Sequence, residues 1–194
     1  LNPDADPGPG TAPLPNFGGT DIFVSSFDEQ GSFRWAVGYG GAGPEDGTSI
    51  AIDWNGDVLA GGMYFLSVTM NVNGADTTLN NAGGSDVMLT RFASTDGSIK
   101  QINAFGGTGF EELPLILPSL SSNGSLYMIF GFQDSLTADV INQGHQTLMS
   151  NGDSDIAIAR CDTSAMIEQM WSIGGSERDI PRNAAVDFNG NLYL

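Results

Sequence analysis

The chain repeats itself about every 66 to 68 residues, nearly three times over. Three signposts recur in order. The first is a glycine step to aspartate before an apolar run: Gly18-Gly19-Thr20-Asp21, Gly83-Gly84-Ser85-Asp86 and Gly152-Asp153-Ser154-Asp155. The second is a large apolar residue before paired glycines: Tyr39-Gly40-Gly41, Phe105-Gly106-Gly107 and Ile173-Gly174-Gly175. The third is Asn55-Gly56, Asn123-Gly124 and Asn189-Gly190. A repeat of this length is one supersecondary unit that cannot bury its apolar face alone, so neighbouring units must stack.

The unit is β. Glycine is frequent at 27 residues, only 15% of residues are charged, and no apolar pattern with a 3.6-residue period persists. Four strands are predicted in each repeat. The first covers about 21–27, 86–92 and 155–161, apolar or small on both alternating faces, as a strand covered on both sides requires. The second covers about 32–39, 98–105 and 166–173. It follows turns at Asp28-Glu29-Gln30-Gly31, Ser94-Thr95-Asp96-Gly97 and Asp162-Thr163-Ser164-Ala165. Glycine supplies a positive φ in the first two, so the third should differ in detail. Trp171 is displaced by two residues from the position of Trp35, an even step that keeps it on the same strand face and available to the core.

The third strand lies near 48–53, 115–121 and 182–187, and the fourth, after Asn-Gly, near 57–64, 125–132 and 191–194. Pro114 and Pro118 flank the third strand of the second repeat, which should be frayed, bulged or at an edge. Ser121-Ser122 stands where Asp53-Trp54 and Asp187-Phe188 stand elsewhere. Segments 65–80 and 132–150 each suggest a fifth short strand or an outer hairpin. Residues 1–13 form a Pro/Gly-rich linker or tether, followed by units at 14–82, 83–151 and a shorter 152–194.

Those residues carry a resemblance. Gly83-Gly84-Ser85-Asp86-Val87-Met88-Leu89-Thr90-Arg91-Phe92 is similar to the repeat of a bacterial seven-bladed β-propeller family. So are Trp35-…-Tyr39-Gly40-Gly41 and Ile50-Ala51-Ile52-Asp53-Trp54-Asn55-Gly56-Asp57-Val58. The resemblance covers about residues 14–194. It implies an all-β fold of propeller-like blades, each of four to five antiparallel strands, in a secreted or surface protein. About 2.7 repeats make an incomplete ring, to be closed by missing C-terminal sequence or by other chains. The family brings no general catalytic motif.

Charge narrows the partners. Twenty-three acidic residues against six basic give a net charge of −17. That disfavours nucleic acid and anionic lipid, whose binding needs Lys and Arg. No run of 18 apolar residues exists to span a membrane. The single cysteine, Cys161, occupies the register of Phe27 and Phe92 and reads as a small core residue.

Asp53, Asn55 and Asp57 place oxygen side chains at alternate positions, a spacing used in Ca²⁺ loops. A hairpin turn in which aspartate accepts backbone amides explains the same residues, and no later glutamate completes an EF-hand. No cofactor is expected beyond that Ca²⁺ candidate. Glu45, Glu111 and Asp179 recur at one offset and could ring a rim that collects cations or basic partners, or cap loop amides. His145 is the only histidine and sits in a polar loop, thin support for a catalytic triad. Nothing fixes the separation of Glu111-Glu112 for glycoside hydrolysis.

The expectation is therefore a non-catalytic, extracellular or cell-surface (alternatively periplasmic) structural module that contacts a protein partner or a surface assembly. The alternatives are a carbohydrate-binding module, Ca²⁺-dependent or not, using Trp54, and a part of a propeller enzyme.

Overall fold

The computed structural model describes residues 3–119 and 124–194, and among them every regular element is a strand. In chain order these are β1 (Ile22–Phe27), β2 (Phe33–Tyr39), β3 (Glu45–Ile52), β4 (Val58–Tyr64), β5 (Val68–Val72), β6 (Ala75–Leu79), β7 (Asp86–Phe92) and β8 (Ile99–Phe105). There follow β9 (Glu111–Pro118), β10 (Leu126–Phe132), β11 (Ser135–Val140), β12 (Gly144–Met149), β13 (Asp155–Cys161), β14 (Ile167–Ile173), β15 (Ala185–Val186) and β16 (Leu192–Tyr193). The strands expected from the repeat all form, and 65–80 and 132–150 are hairpins, β5–β6 and β11–β12.

The sheets group these strands differently from the sequence units. β1 and β2 pair by themselves, β3-β4-β7-β8 make a four-stranded antiparallel sheet, and β9-β10-β13-β14 repeat that order with β11–β12 added beyond β14. β15 and β16 form a further two-stranded sheet. Each set of four, β3-β4-β7-β8 and β9-β10-β13-β14, thus takes two strands from one sequence repeat and two from the next. The reason is the ladder between β4 and β7, which runs unbroken from Val58↔Phe92 to Tyr64↔Asp86. Its counterpart joins β10 to β13, from Leu126↔Cys161 to Phe132↔Asp155. No such ladder joins β2 to β3, or β8 to β9; there the chain passes through its glycine pair into the next sheet.

Stacking covers the middle strands on both faces. In β4, Val58 and Ala60 enter a core shared with Ile22, Val24, Trp35 and Tyr39, while Leu59 enters the opposite core with Phe105, Ile116 and Phe130. β7 does the same with Met88 and Phe92 on one side and Val87 and Leu89 on the other. Phe92 is fully buried; it stacks on Trp35 at 6.5 Å and tilts against Tyr39 at 5.7 Å. Cys161, the counterpart of Phe92, is also fully buried, and burial pushes its thiol up to about 12.

β9 is an edge strand, bulged opposite Ile129 and Gly131, as two prolines require. The bulges of β3 and β9 meet across the sheet gap: Thr48 Oγ1 donates to the Pro114 carbonyl at 2.7 Å, and the Ile116 amide to Ser49 Oγ at 3.0 Å.

Two expectations need correction. The glycine-free third turn is not the odd one. Asp162–Met166 closes with the same hydrogen bonds as Asp28–Ser32, Ala165 taking φ 57° where Gly31 takes 80°, and it is the Ala93–Ser98 turn that is longer. Trp171 keeps its strand face yet is 36% exposed, whereas Trp35 is 7% exposed. Trp35 is covered by Phe92 of the next sheet, and among the described residues no strand supplies that cover to Trp171. Residues 3–13 are mostly exposed and fold back on themselves ahead of the first unit. Asp4 bridges to Pro13, the Asp4 carboxylate accepts the amides of Asp6 and Ala12, and Leu14 is buried. Ser121, Ser122 and Asn123 lie outside the described residues.

Candidate functional site

The signposts converge on one construction, built three times where one sheet passes to the next. In the middle copy, Asp86 opens β7 and Glu111 opens β9, so the two acids belong to neighbouring sheets. Asp86 Oδ2 accepts the Ala82 amide at 2.8 Å, and Glu111 Oε2 accepts the Gly107 amide at 3.1 Å. The Glu111 amide itself donates to the Ser85 carbonyl at 2.9 Å. The first copy repeats this through Phe17 N–H to Asp21, Gly41 N–H to Glu45 and Glu45 N–H to the Thr20 carbonyl. In the third, the bonds are Asn151 N–H to Asp155, Gly175 N–H to Asp179 and Asp179 N–H to the Ser154 carbonyl.

The glycines follow from this closeness. A Cβ on Gly106 would overlap the Asp86 carboxylate, and one on Gly40 or Gly174 would overlap Asp21 or Asp155. Glu45, Asp86, Glu111 and Asp155 are each at most 2% exposed. Glu45, Glu111 and Asp179 therefore cap loop amides, and the two glutamates do so out of solvent rather than ringing an open rim. Burial raises the carboxyls of Glu45 and Asp86, and burial followed by the nearby Asp86 pushes Glu111 up to about 8. The partner acids Asp21, Asp86 and Asp155 escaped the sequence reading as site residues. Their signal was a constant place at the Gly-Asp step, which looked only like a strand start.

Asp53, Asn55 and Asp57 lie on the turn between β3 and β4. Asp53 Oδ1 accepts the amides of Asn55 at 2.8 Å and Asp57 at 3.0 Å, and Gly56 takes φ 80°. Asp53 Oδ2 lies 3.3 Å from Arg91 Nε, an ion pair without hydrogen-bond alignment. Both oxygens of Asp57 accept from Lys100 Nζ, at 2.7 and 2.9 Å. The two carboxylates thus face separate cations of β7 and β8. Among the described residues no three acidic, histidine or cysteine side chains group as for a metal ion. The same turn recurs at Asp187, whose carboxyl is held below the usual range by Asn191.

A cleft and a pair of turn tips are open to solvent among the described residues. A cleft of about 920 Å³ runs beside β2, whose outer edge pairs with no other strand; Val37, Tyr39, Met70, Asn73, Asp96 and Ile99 line it. The Ser98 amide holds the exposed Asp96 carboxyl below its ordinary value. Trp54, 60% exposed, and Phe188, 83% exposed, stand at equivalent tips of the β3–β4 and β15–β16 turns. His145 is exposed and lies 2.8 Å from the exposed Asp139. Glu112 turns from Glu111 to Arg178, at 2.7 Å. No helix among the described residues is long and apolar enough to cross a membrane.

No protein-family model matches the chain, and no curated protein does.

Proposed function

We propose that this chain is a non-catalytic structural and protein-interaction module of β-propeller type, carried on the outside of a bacterium. The observation behind it is the joint between sheets. What recurs in every repeat is a set of scaffold contacts, and the acids that recur are spent on backbone amides inside that scaffold. Further sequence or other chains complete the ring. Loops and the cleft beside β2 meet a protein partner or surface assembly; the excess of acidic residues suits a basic partner and opposes nucleic acid.

The test has two arms. The module, displayed in its native context, should be cut by protease added to intact cells. It should also turn over no ester, glycoside or phosphoester in a substrate panel. Turnover abolished by one acid-to-amide change, Asp96→Asn for example, would overturn the reading and favour a propeller enzyme.

A carbohydrate-binding role is the second reading, favoured by the exposed rings of Trp54 and Phe188 at equivalent turns. A glycan array probed with and without Ca²⁺ separates the two. Binding lost in Trp54→Ala supports the second reading, and a blank array removes it.

A further inference from the structure

The middle joint holds more buried carboxylate oxygen than it has donors for. Asp86 and Glu111 are 2% and 0% exposed, and each spends one oxygen on a neighbouring amide. The other oxygens, Asp86 Oδ1 and Glu111 Oε1, are buried with no hydrogen-bond partner while the two side chains lie within hydrogen-bonding reach of each other. Two facing acceptors cannot satisfy one another when both groups are ionised. One proton between them turns an unpartnered, repulsive contact into a hydrogen bond.

Among the described residues no basic side chain offers another remedy. From β4, the Tyr64 hydroxyl points at Asp86 Oδ2 at 3.4 Å, and burial and the nearby acids raise its own ionisation out of reach. Asp134, beyond β10, adds a further negative charge near Glu111. Glu112, next in β9, is engaged with Arg178. Among the described residues neither Asp86 nor Glu111 is in an ion pair with a basic side chain.

We propose that Asp86 and Glu111 bind one proton between them, and that this proton clasps the two four-stranded units together, so that the joint loosens as the solution becomes alkaline. The Asp21–Glu45 pair repeats the arrangement, with Asp21 Oδ1 and Glu45 Oε1 likewise unpartnered. The third joint has Asp179 in place of glutamate, one methylene shorter and half-buried. The clasp thus belongs to the first and middle joints, where the acid from the following sheet is a buried glutamate.

The sign follows from linkage. Glu111 takes up its proton more readily folded than unfolded, so the stability it contributes is complete below about 4.5 and is lost as pH rises through about 8. Over that window one such proton makes the unfolding constant grow with pH, by about tenfold per pH unit at the limit. Carboxyls held low, at Asp4, Asp96 and Asp187, titrate below the window.

The test is urea unfolding of the full chain from pH 5 to 9, for the native protein, Glu111→Gln and His145→Gln. The amide of Glu111→Gln keeps the acceptor for Gly107 and supplies a fixed donor to Asp86 Oδ1. The native midpoint should fall with pH, His145→Gln should fall in parallel, and Glu111→Gln should fall less. Equal pH dependence in the native protein and Glu111→Gln would overturn the proposal. If the variant does not fold, ¹³C carboxyl resonances of the native protein decide the matter. A carboxyl titrating above pH 6 supports the clasp, and the absence of any refutes it.

Discussion

Replacing Gly106 by alanine tests the claim that glycine pairs exist to admit a carboxylate. Gly106 is not among the residues with positive φ, so alanine meets no backbone penalty there. Its methyl group would meet the Asp86 carboxylate instead. To move aside, Asp86 must surrender the Ala82 amide at 2.8 Å and the Tyr64 hydroxyl at 3.4 Å, in a site where it is 2% exposed. A hydrogen bond to a charged group contributes about 1.5–3 kcal/mol and a neutral one about 0.5–1.5. Against this, alanine restricts the unfolded chain and returns up to about 1 kcal/mol. The net loss should be about 2–4 kcal/mol, read as a lower urea midpoint. Gly56→Ala is the contrasting control, since a Cβ there meets nothing within 4 Å and only the φ of 80° is violated, for about 1–2 kcal/mol. In an Asp86→Ala background the collision disappears, and Gly106→Ala should cost less than about 1 kcal/mol. The same cost with and without the Asp86 carboxylate would refute the reasoning.

Further outcomes follow from the packing and the turns. Phe92→Ala should lose about 3–5 kcal/mol, because the ring is fully buried between Trp35 and Tyr39, and Trp35 fluorescence should shift to the red. Ala165→Gly relieves a φ of 57° but removes a methyl buried in the core and frees the unfolded chain, so the unfolding free energy should change by less than about 1 kcal/mol; a loss above about 2 kcal/mol would count against the turn geometry. Millimolar Ca²⁺ should leave the thermal midpoint unchanged, since Asp53 and Asp57 already face Arg91 and Lys100. A saturable rise that Asp57→Asn removes would restore the Ca²⁺ loop.

Strand content was legible because alternation and two-sided burial leave direct marks. Val87-Met88-Leu89 can be apolar on both faces only if both faces are covered, and they enter opposite cores. The edge position of β9 was legible from Pro114 and Pro118 for an equally local reason. Contacts made far along the chain were not. Trp171 has the right parity, but its burial depends on a strand from another sheet, and alternation carries no information about that. The ion pairs of Asp57 with Lys100 and of Asp53 with Arg91 bridge strands well separated in sequence, so the turn looked like a set of free oxygens.

The phase of the repeat is the deeper case. A period gives the length of a unit and says nothing about where one sheet stops, because any starting point in a periodic sequence is equivalent. Glycine steps looked like unit boundaries since glycine marks turns. Here the Gly-Asp step lies within a sheet, before β7, whose ladder to β4 is complete, and the break falls at the glycine pair, between Phe105 and Glu111. What distinguishes the two glycine signposts is the acid that follows. Asp86 lays its carboxylate against Gly106 at the end of its own sheet, and Glu111, from the next sheet, reaches back to the amide of Gly107. A glycine pair followed after a short loop by an acid, with an earlier Gly-Asp to match it, therefore marks a joint between sheets. That rule would have cut this chain between β2 and β3, between β8 and β9, and between β14 and β15, where the sheets divide.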